Sequence, residues 1–168
     1  MSSRHPPHPA PPPRRASGGG PHIRAALALD APAIIDFQAR MALETENLEL
    51  DLGAVGRGVR AVFDDPSLGE YWVAELDGRI AGCMLVTREW SDWRNGTVLW
   101  IQSVYTHPEA RRRGVYRALY DHLRRRVEAA PDLLGIRLYV EVNNQPARRT
   151  YEQLGMRGDH YVVCEWMK

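Results

Sequence analysis

The chain has 168 residues, of which 44% are hydrophobic and 26% charged, the length and composition of one globular domain with an ordinary core. A net charge of +1 excludes capture of nucleic acid by bulk charge, and no apolar run approaches the ~18 residues that a membrane-spanning helix needs. The charge is nonetheless uneven. Residues 42–77 hold nine acids against Arg57 and Arg60, while residues 107–126 hold seven arginines against Glu109 and Asp121. Cys83 and Cys164 lie in apolar runs without C-x-x-C spacing and read as buried free thiols. Arg14-Arg15 is not followed by the apolar stretch of an export signal, so a cytoplasmic location is expected.

Residues 1–21 carry Pro6-Pro7, Pro11-Pro12-Pro13 and Gly18-Gly19-Gly20-Pro21. Such a segment buries too little apolar surface to offset its ordering entropy, so a disordered tail is expected, with the folded domain at 22–168. His22 to Leu29 reads as a short strand. Asp30 is a candidate N-cap, with Pro32 tolerated in the first turn of a helix running to about Leu43. Glu44-Thr45-Glu46-Asn47 reads as a polar break, and a second helix spans about Leu52 to Phe63. Tyr71–Leu76 and Arg79–Trp90 are strands joined by Asp77-Gly78, a two-residue turn of the I′ kind. Asn95-Gly96 signals another hairpin before a strand from Thr97 to Tyr105.

His107-Pro108 breaks that strand, and Arg111-Arg112-Arg113-Gly114 follows. Val115, Leu119, Leu123 and Val127 then recur at the spacing of an amphipathic helix. Strand, basic glycine turn and helix together suit a phosphate group. First-turn N–H groups have no intrahelical acceptor, the helix dipole is positive there, and a glycine lets a ligand approach the backbone. Ile136 to Val142 reads as a strand returning parallel to Trp100–Tyr105 after the helical crossover. Ala147 to Leu154 is a short helix stopped by Gly155, and His160 to Met167 a last strand.

Two motifs in order and at matching spacing give the chain a family. Arg111-x-x-Gly114-x-Tyr116 after a strand, and Asn143-x-x-x-Ala147-x-x-x-Tyr151-x-x-x-Gly155 downstream, resemble the two signatures of the GNAT superfamily of acyl-CoA-dependent N-acetyltransferases. The likeness covers roughly residues 22–168, and Tyr116 departs from it, standing where a small residue is usual. It implies the GNAT α/β fold: a mixed, mostly antiparallel sheet with flanking helices, whose central parallel pair splays into a cleft. It also implies acetyl-CoA as co-substrate. The backbone N–H of Val104 would hold the acyl oxygen, and Tyr105 and Thr106 would lie beside the pantetheine, with Thr106 backbone groups pairing to its amides. Arg111, Arg112, Arg113, Gly114, Val115, Tyr116 and Arg117 would wrap the pyrophosphate. Asn143 would contact the cofactor or close a turn, and Tyr151 would protonate the leaving thiolate.

Some members of the superfamily place a basic carboxylate four residues before the acyl-binding position, which here is Trp100. Glu44, Glu46, Glu89, Asp92 and Glu141 remain as candidates, with Glu44 and Glu89 taken forward as the general base. Acids on that side favour a cationic amine as acceptor, with Trp90, Trp93, Trp100 and Tyr105 available to line its apolar part. The six histidines show no ligand spacing, so no metal is expected, and the chain is read as a monomer or homodimer. Two readings compete with direct acetyl transfer to a primary amine. One is a module that binds acyl-CoA without turnover; the other is a nucleic-acid binder using the basic helix, which the net charge disfavours.

Overall fold

The computed structural model describes residues 19–159 and 161–167. The proline-rich segment expected to be disordered lies almost wholly outside them. In chain order the elements are β1 (His22–Ala25), α1 (Ala31–Glu46), α2 (Leu52–Asp64), β2 (Glu70–Leu76), β3 (Arg79–Ser91), β4 (Gly96–Thr106), α3 (Val115–Ala129), β5 (Leu133–Leu138) and α4 (Gln145–Gln153). The strands form one sheet in the order β1-β2-β3-β4-β5. All neighbours are antiparallel except β4 and β5, which run parallel across the α3 crossover. This is the mixed α/β sheet that the sequence predicts, with the parallel pair at one edge rather than central, because no strand lies beyond β5 among the described residues.

Each face of the sheet carries its own core. On one, Val115, Leu119 and Leu123 of α3 are at most 1% exposed and pack on Met84, Val86, Leu99 and Ile101. Burying each of these side chains stabilises the fold by about 1.5–3 kcal/mol. On the other, Ile34 and Phe37 of α1 and Val59 of α2 cover Tyr71, Val73, Cys83 and Tyr105. Cys83 is thus the buried thiol expected, whereas Cys164 is exposed.

Several boundaries differ from the sequence reading. β1 stops at Ala25 and a 3-10 turn covers Ala28–Asp30. Asp30 stands at the N-cap of α1, but its side chain makes no cap. It turns back instead, accepting from the Leu27 N–H at 2.8 Å and from Arg24 at 2.6 and 3.0 Å. α1 runs past Leu43 to Glu46, because Glu44, Thr45 and Glu46 all tolerate helix. The stop is Asn47, left-handed at φ 53°.

The Asp77-Gly78 turn is left-handed at both residues, φ 54° and 73°, as a I′ hairpin requires. At the next hairpin Asn95 is left-handed, but Gly96 already belongs to β4. β5 begins at Leu133 and ends at Leu138 rather than spanning Ile136–Val142. The expected last strand is also absent: Tyr161–Met167 forms no strand and is exposed, and His160 lies outside the described residues. The partner edge that it needs, β5 beyond Leu138, is not extended as a strand.

Candidate active site

β4 carries a bulge against β3 between Ile101 and Ser103, and its pairing to β5 ends at Ile101↔Leu138. The residues Gln102 to Thr106 therefore leave β5 behind, and the parallel pair opens there. At the far end of this stretch the His107 N–H donates to the Ala81 carbonyl of β3 at 2.9 Å. Strand alternation then turns the backbone groups of Tyr105 toward β3 and those of Val104 and Thr106 toward the opened side. The Thr106 carbonyl accepts from Arg111 Nε at 3.2 Å. The side chain of Tyr105 lies on the α1 face, 5% exposed, so Tyr105 does not share the cleft edge with its two neighbours.

Beyond β4 the chain makes a basic turn. Arg112 (φ 61°) and Gly114 (φ 78°) are both left-handed, a curled backbone of the kind that aims successive N–H groups to one concave side. A Cβ built on Gly114 would meet nothing within 4 Å, so its positive φ, not crowding, selects glycine. α3 starts at Val115 without a side-chain cap, which leaves first-turn N–H groups free for an anion. Arg113 donates to Asp77 at 2.8 Å, while Arg112 and Arg117 are exposed. Val115 is buried in the core and joins the turn through its backbone alone. Gly82 of β3 lies beneath: a Cβ there would stand 2.7 Å from the Tyr105 carbonyl and 2.8 Å from Val115 Cγ1.

Glu44, on the last turn of α1, accepts from the Tyr105 hydroxyl at 2.6 Å and from the Arg111 guanidinium. Burial pushes its carboxyl up, but these two donors outweigh that and hold it below the usual range. Burial and the same hydrogen bond push the Tyr105 phenol up to about 12. Glu89, on β3, accepts from Arg137 at 2.5 Å and from the Trp100 indole N–H. Trp100 in turn packs on Tyr139, with ring centroids 4.6 Å apart. Both carboxylates are therefore engaged, at different ends of the opened stretch.

The remaining candidates are elsewhere. Glu141 closes a local turn by accepting from the backbone N–H and side-chain amide of Asn143. Asp92 accepts from the Trp93 N–H. Trp90 and Trp93 are 64% and 88% exposed on the β3–β4 hairpin, away from Val104. Asn144, not Asn143, caps α4 through the Ala147 N–H, and Gly155 is left-handed just beyond it. Tyr151 turns inward from α4, and burial raises its phenol. Its ring lies 5.5 Å from that of Tyr116. The sequence missed Arg137, whose pairing to Glu89 spans 48 positions; an arginine alternating within an apolar run was the only signal.

Comparison with known proteins agrees with this geometry. The family described as "Acetyltransferase (GNAT) family" matches residues 38–156. A possible acetyltransferase from Clostridium difficile 630 is 37% identical, with a TM-score of 0.82 over 89% of this chain and 99% of that one. Two more distant structures share the fold. A predicted acetyltransferase with acetyl-CoA from Clostridium acetobutylicum is 18% identical, with a TM-score of 0.67 over 86% of this chain and 96% of that one. A ribosomal-protein-alanine N-acetyltransferase from Brucella melitensis biovar Abortus 2308 is also 18% identical, with a TM-score of 0.70 over 88% and 100%. No curated protein matches. With its opened β4–β5 pair, its uncapped basic turn and a family match over more than half its length, the chain belongs to the GNAT acetyltransferase family.

Proposed function

We propose that the protein transfers an acetyl group from acetyl-CoA to a primary amine by direct attack in a ternary complex. The observation that carries this is the opened edge of β4 at Val104 and Thr106, continuous with the uncapped turn at Gly114. An extended amide-bearing ligand can pair with that edge as an added strand, and its phosphates then reach the helix N-terminus. These residues fit acetyl-CoA, which when bound supplies an activated acetyl thioester. The Val104 N–H donates to the acyl oxygen as charge develops on it. Backbone N–H groups from Arg111 to Arg117 hold the pyrophosphate, assisted by exposed Arg112 and Arg117.

Glu89 is the general base in this reading. Trp100 occupies the position four residues before Val104, and its indole holds the Glu89 carboxylate there from the neighbouring strand. Glu89 takes the proton of the amine through water as the C–N bond forms and the C–S bond breaks. The Tyr151 hydroxyl gives its proton to the departing thiolate. Glu44 and Glu89 each carry an arginine, which weakens the pull on a cation that their charges alone would exert. Trp100 and Tyr139 are the rings that line the acceptor side.

Calorimetric titration with CoA and acetyl-CoA, followed by a panel of primary amines scored for CoA release, tests the proposal. Acetyl transfer to an amine supports it. Binding without transfer to any amine would make the chain an acyl-CoA-binding module, and absence of binding would remove both readings. We further propose that the catalytic domain is residues 22–168, in a cytoplasmic protein. A chain starting at Pro21 should then melt within a few degrees of the full one, and a larger loss would show that the tail packs.

A further inference from the structure

α4 is attached by few side chains. No residue from Gln145 to Gln153 is buried, and just past the helix Leu154 and Met156 pack on the α3-side core. The inward contact from the helix itself is Tyr151, whose ring meets that of Tyr116 at 5.5 Å and 59°. Tyr116 is the second residue of α3, two positions after Gly114. Its ring also lies over Tyr120 at 6.3 Å and 28°, and Tyr120 is 6% exposed. Three rings thus run from the buried flank of α3 to α4, with Tyr116 in the middle.

The Tyr116 hydroxyl is buried and has no hydrogen-bond partner among the described residues. No polar bond fixes this side chain, so ring packing does. Offset and tilted ring contacts of this kind have a preferred geometry, unlike contacts between aliphatic chains. The residue that fixes the Tyr151 ring therefore sits on the same first helical turn that would carry the pyrophosphate. A small side chain at 116, as the resemblance led one to expect, would leave Tyr151 without that surface.

We propose that Tyr116 is a positioning residue: its ring holds the phenol of Tyr151 in one orientation and ties the acid to the phosphate turn. This rests on Tyr151 being the general acid. The hydroxyl of Tyr116 plays no part, and the aromatic ring is what matters. Tyr116→Phe keeps the function, whereas Tyr116→Leu stays apolar at that position but loses it.

The test uses the full chain, acetyl-CoA and an amine that the panel finds active, with Tyr116→Phe, Tyr116→Leu, Tyr151→Phe and the double variant Tyr116→Leu/Tyr151→Phe. Tyr116→Phe should stay within about 2-fold of the parent at saturation. Tyr116→Leu should lose about 10²-fold, the usual cost of misplacing a catalytic group by an ångström, with KM for acetyl-CoA nearly unchanged. The double variant should be no slower than Tyr151→Phe alone. Removing the ring also admits water to a phenol that burial raises, so the alkaline limb of the rate profile should move to lower pH in Tyr116→Leu. If that variant melts below the assay temperature, Tyr116→Met replaces it under the same expectations. A parental rate in the leucine or methionine variant beside a slow Tyr151→Phe overturns the proposal, as does a multiplicative loss in the double variant. A slow Tyr116→Phe would overturn it too, by assigning the work to the hydroxyl. A fully active Tyr151→Phe would overturn the acid assignment itself.

Discussion

The guanidinium of Arg111 donates to the carboxylate of Glu44, 67 positions earlier in the chain, so the end of α1 is joined to the start of the basic turn. The same carboxylate accepts from the Tyr105 hydroxyl, which adds the end of β4 to the cluster. Glu44 thus braces the turn, which is why the proposed mechanism gives the base to Glu89.

Glu44→Gln separates these roles. The pair is 38% and 47% exposed, so stability should fall by only about 0.2–1 kcal/mol. CoA affinity should weaken by 3- to 10-fold, about 1 kcal/mol, as the turn loosens, and the saturated rate should hold within a factor of about 3. A rate loss near 10² with CoA binding intact would return the base to Glu44.

Glu89→Gln has the opposite signature. The amide oxygen still accepts from Trp100, while the NH2 that replaces the other oxygen loses the Arg137 ion pair, so melts accompany the kinetics; the amide cannot take a proton. The saturated rate should drop by about 10²–10⁴, with CoA affinity unchanged in calorimetry. A parental rate would mean that water alone deprotonates the amine.

Gly114→Ala and Gly114→Glu probe the turn in two steps. Alanine meets open space but must adopt φ 78°, costing about 1–2 kcal/mol of strain. Glutamate carries the same strain and adds a negative charge where the proposal puts the phosphates. CoA affinity should fall modestly for alanine and by more than about 30-fold for glutamate. Equal affinities would place the pyrophosphate elsewhere.

Asp30 contributes to the acid sensitivity of the fold. It is 2% exposed, and the Arg24 guanidinium, aided by the Leu27 N–H, holds its carboxyl below the usual range against the opposing effect of burial. A carboxyl depressed in the folded state contributes stability that is full above its unfolded value, near 3.9, and lost as pH falls through the folded one. Asp30→Asn leaves Arg24 with Glu75 alone and should cost about 3 kcal/mol at pH 7. The difference from the parent should shrink in melts taken progressively below pH 4.

Short-range chemistry is what the sequence made readable. Asp77-Gly78, Gly155 and the Val115–Leu119–Leu123 stripe declare themselves within a few residues, and the hairpin and the crossover place β2 beside β3 and β4 beside β5. Where α1 ends was not readable, because Glu44-Thr45-Glu46 is as compatible with helix as with a break, and the left-handed Asn47 that stops it shows only in the backbone. The extent of β5 was misjudged for a related reason. Ile136 to Val142 has strand composition throughout, but a strand needs a neighbour, and β4 turns away after Ile101. The position of Glu89 depends on Trp100 and Arg137, 11 and 48 positions away. No local pattern encodes such a trio.

The fit of Gly82 under Tyr105 and Val115 leaves no room for even one more carbon. Strand β3 packs that closely against both β4 and the first turn of α3, and the interval from the Val104 amide to the Gly114 turn lies across this contact. In the proposed binding mode a thioester donor is measured by that interval. One too short to engage both ends gives up either its anchor or its alignment, and a long acyl chain must extend past Val104 toward Trp100 rather than shift the nucleotide end. In that mode donor length is set by backbone contact at a single glycine, a residue with no side chain of its own to do chemistry.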